Sequence, residues 1–181
     1  MKKKNNQLSD FQKIILYFTI YAFIGWIAEE IFCLIYTHEF TKRGFLFGPI
    51  CPIYGYGAII LIIFFKDYKK KPIKLFFGTI IVFTIFEYIT DFFLQALFGL
   101  RWWDYTGQFL NLNGRVTLSF SVVWGIFALI FINIIQPIVT KTVGKLLNKI
   151  PVKIQKLSTV VIILLIAIDT IASSIVYLNI L

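Results

Sequence analysis

Nine acidic residues occur in a chain of 181, and five of them, Glu29, Glu30, Glu87, Asp91 and Asp169, fall inside long apolar runs. Placing an Asp at the centre of a membrane helix costs about 2.5–3.5 kcal/mol on insertion scales. Such carboxyls are expected to face a protein interior, paired or protonated, where they can hold a polar solute or move a proton. Thr84, Glu87, Asp91 and Gln95 follow i, i+3, i+7, i+11 spacing, which predicts one polar stripe along a helix. Glu29 and Asp91 each lie about 10 Å from the same end of their predicted helices, at 1.5 Å per residue, so they are expected at one depth. Glu30 points about 100° away from Glu29, so one of the two is expected to pack elsewhere.

The chain has three arginines, Arg43, Arg101 and Arg115, and uses lysine everywhere else for its basic residues. The guanidinium fork grips carboxylate or phosphate through two parallel hydrogen bonds, which an ammonium cannot copy. The same fork can equally tie loops together through carbonyls and Asp104. Arg101-Trp102-Trp103-Asp104-Tyr105 sets an ion pair among aromatic rings, and Asn113-Gly114-Arg115 reads as a turn delivering an arginine. The expected substrate-binding set is therefore Glu29, Arg43, Glu87, Asp91, Arg101, Trp102, Trp103, Asp104, Tyr105, Asn113 and Arg115. Glu29, Glu87 and Asp91 are the acid or base candidates if the chain is an enzyme.

Other chemistry finds little support. Cys51 and the lone His38 form a weak nucleophile pair, and a Cys33–Cys51 disulfide is the alternative use of the two cysteines. No His/Cys spacing suits zinc, no phosphate loop or dinucleotide fingerprint occurs, and neither metal nor cofactor is expected.

These residues must be positioned by a membrane-embedded scaffold. The composition is 59% hydrophobic and only 15% charged, against about 25% charged in soluble domains. Five apolar runs, about 11–36, 45–65, 75–98, 116–139 and 158–181, approach or exceed the roughly 20 residues a bilayer demands. The fold class expected is an all-α membrane protein: one integral domain, a bundle of about five transmembrane helices. Of 18 basic residues, 14 fall before the first run and in the second and fourth loops. That asymmetry predicts a cytoplasmic N-terminus and an external C-terminus, with all three arginines outside. The first run is too long for a signal peptide core and carries Glu29 and Glu30, so it reads as an uncleaved helix.

Two segments depart from simple spans. Residues 44–57 contain two prolines and four glycines, so the second span should start broken or re-entrant, an irregularity tolerated only where protein or a watery cavity covers it. Lysines recur at 141, 145, 149, 153 and 156 with apolar residues between them. This predicts an amphipathic basic segment over 140–157, lying on the cytoplasmic leaflet as a lipid anchor or a docking surface. The net charge of +9 is accounted for by these cytoplasmic stretches, and no nucleic-acid partner is expected.

Gly25-Trp26-x-x-Glu29, the run Arg43-Gly44-Phe45-Leu46-x-Gly48-Pro49-x-Cys51-Pro52-Ile53-Tyr54-Gly55-x-Gly57-Ala58, Glu87-Tyr88, Arg101-Trp102-Trp103-Asp104-Tyr105, Asn113-Gly114-Arg115 and Ser121-x-x-Trp124-Gly125 carry a resemblance. Over roughly residues 20–140 the chain resembles the small bacterial polytopic membrane proteins labelled putative ABC-transporter type IV. The resemblance implies a multi-pass protein of the bacterial plasma membrane with a transport role. Where a glutamate would be expected late in the third span the chain has Gln95, which shifts attention to Glu87 and Asp91.

The function expected is a permease-like transport component that binds a small polar or charged solute at an externally facing site, with an anionic or zwitterionic small molecule or lipid as the expected partner. Five spans are few for a complete carrier, so a homo-oligomer or an ATPase subunit is the expected partner, beside the lipid bilayer itself. The alternatives are an intramembrane enzyme acting on a lipid or lipid-linked substrate, and an assembly or regulatory subunit.

Overall fold

A computed structural model describes residues 8–40, 42 and 44–179 of the chain. The chain is an all-α membrane protein whose secondary structure follows from local signals. Helix α1, Asp10–Thr37, starts at a capping box in which the Ser9 hydroxyl accepts from the Gln12 amide and the Gln12 side chain accepts from the Ser9 amide. It ends where His38 turns left-handed and donates its N–H to Leu34. Helix α3, Pro72–Phe98, has Pro72 at its first position, where no backbone donor is needed, and stops at Gly99, whose φ of 64° suits a residue without a side chain.

Among the described residues, four helical stretches are long and apolar enough to cross a membrane: Asp10–Thr37, Pro72–Phe98, Leu118–Leu147 and Val152–Leu178. Their apolar side chains are largely exposed, as lipid-facing surfaces are. The second predicted span is different. Residues 44–51 form no helix, and α2 begins only at Pro52, running to Ile60 and continuing through a π turn, Leu61–Phe65, and a short 3-10 turn, Lys66–Tyr68. This stretch is roughly 25 Å long at 1.5 Å per residue, short of a bilayer core. Pro49 and Pro52 disfavour helix in the residues before them, which delays its start.

The fourth predicted span also changes bounds. Helix α4, Leu118–Ile130, continues through a π turn, Phe131–Ile135, into α5, Gln136–Leu147, and α6 starts at Val152. The lysines of 140–157 therefore sit mostly on the ends of two long helices, separated by residues 148–151, rather than on an element of their own. Lysine is a good helix former, and Pro151 is the residue that interrupts the run.

The structure groups into two compact units. One consists of the described residues of Met1–Ile59 with Val139–Ser173, the other of those of Ile60–Ile138 with Ser174–Leu181. In the first, Phe18, Tyr21, Ala22, Cys33, Leu46, Cys51 and Ala58 are buried. Gly55 lets α2 approach α1 closely, since a Cβ there would stand 2.7 Å from the Phe18 ring. In the second, α3 packs on α4, with Gly125 against Phe76 and Leu75, Thr79, Phe83, Glu87 and Asp91 all buried on one α3 face. Between those helices a two-stranded hairpin, β1 Asn111–Leu112 and β2 Val116–Thr117, closes the connecting loop.

Candidate functional site

The polar stripe of α3 is engaged along its whole length within the second unit. Thr84 and Ser121 share a hydroxyl hydrogen bond of 2.7 Å. One turn on, Glu87 Oε1 accepts from the Tyr105 hydroxyl at 3.0 Å, and Trp124 lies within interaction range of the same carboxyl. Asp91 Oδ2 accepts from Arg115 Nη1 and stands 3.4 Å from Arg101 Nη2. Gln95 Oε1 accepts from Arg115 Nη2 at 2.5 Å. Arg115 thus spans one helical turn with its fork, a task for which lysine, whose donors all sit on one nitrogen, lacks the reach.

The loop that delivers both arginines is built from backbone contacts. Asn113 and Gly114 have φ of 55° and 68°, and the Arg115 amide donates to Leu112 across them at 3.0 Å. Two central residues at positive φ suit a tight hairpin turn, for which Asn-Gly is the favoured pair. Arg101 Nη2 donates to the Asn113 carbonyl at 2.9 Å, Trp103 Nε1 to the Arg115 carbonyl at 2.9 Å, and the Tyr105 amide to the Gly114 carbonyl at 2.7 Å. Asn113 Nδ2 reaches the Tyr88 hydroxyl at 3.0 Å, tying the turn to α3. A Cβ on Gly114 would strike Thr106 Oγ1 and Asp104 Oδ1, besides needing a left-handed backbone. Gly114→Ala should therefore lower stability by about 1–3 kcal/mol, read as an earlier midpoint in detergent unfolding. A midpoint equal to wild type would show that the turn can relax.

Charge at the site is uneven. Asp91 is fully buried, while the Arg115 and Arg101 side chains are 13% and 22% exposed. The Arg115 guanidinium lies 5.6 Å from the Tyr88 ring centroid and 5.5 Å from that of Phe92, aromatic neighbours that suit a desolvated cation. Arg101 also pairs with Asp104 at 3.3 Å. The Thr106 hydroxyl and amide, followed by Arg101, hold the exposed Asp104 carboxyl below the usual carboxylate range. That contribution is in place at neutral pH and is lost as acid protonates Asp104. Among the described residues, Glu87 Oε2, Asp91 Oδ1, Arg101 Nε and Arg115 Nε are buried with no hydrogen-bond partner.

The first unit holds a second polar group. The Tyr54 hydroxyl donates to Glu29 Oε1. Asp169 on α6 accepts two backbone amides from the non-helical segment, Phe47 N–H at 2.9 Å and Gly48 N–H at 2.8 Å. The Ser173 hydroxyl steadies Asp169 Oδ1 at 3.1 Å.

A family model described as Putative ABC-transporter type IV matches residues 16–174. The chain belongs to that family. No curated protein and no solved structure matches it.

In this ABC-transporter type IV family member, the structure brings together Asp91, Arg101, Asp104, Asn113 and Arg115, with Glu87 held by Tyr105. Trp103 supports the turn through its indole N–H, whereas Trp102 packs on Phe98 and Tyr177 at ring distances of 6.0 and 5.3 Å. Glu29 belongs to the other compact unit, with Tyr54. Arg43 lies outside the described residues. Cys33 and Cys51 are separate buried thiols, so the two cysteines do not form a disulfide. No hydrogen bond joins Cys51 to His38, which is exposed at the end of α1. Tyr54, Tyr88 and Phe92 were not among the expected site residues. Tyr88 and Phe92 flank Glu87 and Asp91 in sequence, and their i, i+4 spacing is the signal that marks an aromatic row beside the acidic stripe.

Proposed function

We propose that the chain is the membrane component of a transport system and binds a small polar or charged solute at the Asp91–Arg101–Arg115 cluster. One observation carries this reading: three buried polar atoms of the same cluster, one acceptor and two donors, have no hydrogen-bond partner among the described residues. Native interiors satisfy nearly all such atoms, so a polar molecule that completes them would gain free energy. The family membership supports a transport-related role at the coarser level. In this reading the excess of lysine at one end of the spans supports a cytoplasmic N-terminus in a bacterial plasma membrane, with the arginine-bearing loop outside. An ATPase subunit or a second copy of the chain would complete the machinery.

Native mass spectrometry of the gently extracted protein tests this. Wild type should retain a small-solute mass, and Arg115→Lys, which keeps the charge but loses the fork, should retain it about tenfold less, as expected for losing about 1.4 kcal/mol of binding. Equal retention by both forms would remove the assignment. A retained lipid mass instead of a solute would favour the enzyme alternative.

A further inference from the structure

Glu87 and Asp91 lie one turn apart on α3 and are both buried, but their surroundings differ in kind. Asp91 meets two guanidiniums. Among the described residues Glu87 meets no cation: its Oε1 atom accepts from the Tyr105 hydroxyl, and its Oε2 atom is buried without a hydrogen-bond partner. The other groups facing it are Trp124 from α4 and the Asp91 carboxyl along its own helix. The nearby arginines are committed elsewhere, Arg115 to Asp91 and Gln95, Arg101 to Asp91, Asp104 and the Asn113 carbonyl.

A buried carboxylate with no cation, one turn from a second carboxylate, is a costly ion, whereas an unpartnered neutral acid costs far less. A proton also needs no cavity to enter, which suits a group this enclosed. We propose that Glu87 is a proton-binding site, with Asp91 the standing anion of the pair. On release, the O–H bond of Glu87 breaks, the proton passes to solvent, and the carboxylate left behind competes with Asp91 for Arg101 and Arg115. Both arginines sit on the loop that also carries Tyr105, so the loop senses whether the proton is bound. The inference stands on the geometry of α3 and survives if no solute binds at the cluster.

Infrared difference spectroscopy of the full chain in lipid nanodiscs, perfused between acid and alkaline buffer, tests it with the proton itself as the probe. At neutral pH the wild type should show a protonated-carboxyl carbonyl band that shifts in heavy water and is absent from Glu87→Gln. Tyr105→Phe keeps Glu87 but removes its hydrogen-bond donor, so the band should persist at a changed frequency. A wild-type band retained in Glu87→Gln, or lost in Asp91→Asn instead, would overturn the assignment. If Glu87→Gln does not fold, an unmoved band in Tyr105→Phe overturns it equally.

Discussion

Asp91→Ala is expected to release the loop between α3 and α4 and to lower stability by about 3–5 kcal/mol. The substitution leaves Arg115 and Arg101, 13% and 22% exposed, without the carboxylate that both share. Arg101 retains Asp104 and the Asn113 carbonyl, and Arg115 retains Gln95, so the lower end of that range is expected if those contacts hold. Limited trypsin digestion offers a direct readout, because the enzyme cuts after arginine. Wild type should resist cleavage at Arg101 and Arg115, and Asp91→Ala should be cut at both. Replacing the group with apolar residues of similar size, Asp91→Leu with Arg115→Met, should recover much of the loss, since the penalty comes from stranding a charge rather than from losing an attractive pair. Resistance to trypsin in Asp91→Ala would mean that the backbone bonds of the turn hold the loop unaided.

Asp169→Ala should have an effect of similar size in the first unit, about 3–5 kcal/mol, from two amide bonds to a charged acceptor at about 1.5–3 kcal/mol each with partial loss to compensation. Residues 44–51 make no helical bonds of their own, so the Gly48 amide relies on this carboxylate and the Phe47 amide on it together with the Ser173 hydroxyl oxygen at 3.2 Å. Irregular backbone in a membrane protein persists only where such donors are satisfied. Asp169→Asn is no substitute, because its amide nitrogen would present a donor to one of the two N–H groups. The Cys51 thiol, buried beside this segment, reports on the outcome. In a Cys33→Ala background, maleimide labelling of Cys51 should be slow in the parent and much faster in Asp169→Ala. Unchanged labelling would show that the Cys51 amide bond to Ala22 is enough to hold the segment.

Much of this was legible in residue types and spacing. Apolar run lengths located the long helices, and the i, i+3, i+7, i+11 row of Thr84, Glu87, Asp91 and Gln95 located a face that the structure buries and pairs. The prolines and glycines of 44–57 announced a broken start to the second span, which the structure confines to residues 44–51. The partners were harder to read. Asp169 bonds main-chain amides, and a backbone donor leaves no mark in the sequence of side chains. Arg115 reaches Asp91 because Asn113 and Gly114 both adopt positive φ, and that geometry is known only once the turn is built. Glu29 meets a tyrosine, so an expectation framed around carboxylates and arginines did not find Tyr54. The helical run past residue 139 was hidden by its lysines, which interrupt the hydropathy without interrupting the helix.

The two π turns, Leu61–Phe65 and Phe131–Ile135, touch each other in the second unit. A π turn bonds to the residue five back instead of four, so it takes up one residue more than a regular turn. Everything beyond it is out of phase by one position, about 100° of rotation. A helical wheel drawn straight through Leu118–Leu147 therefore assigns the wrong faces to α5. At one level of the unit, two helices each hold a spare residue. Moving that spare along either helix would turn only the residues it passes, exchanging one backbone hydrogen bond for another at each step, a local rotation that a regular helix of the same length lacks.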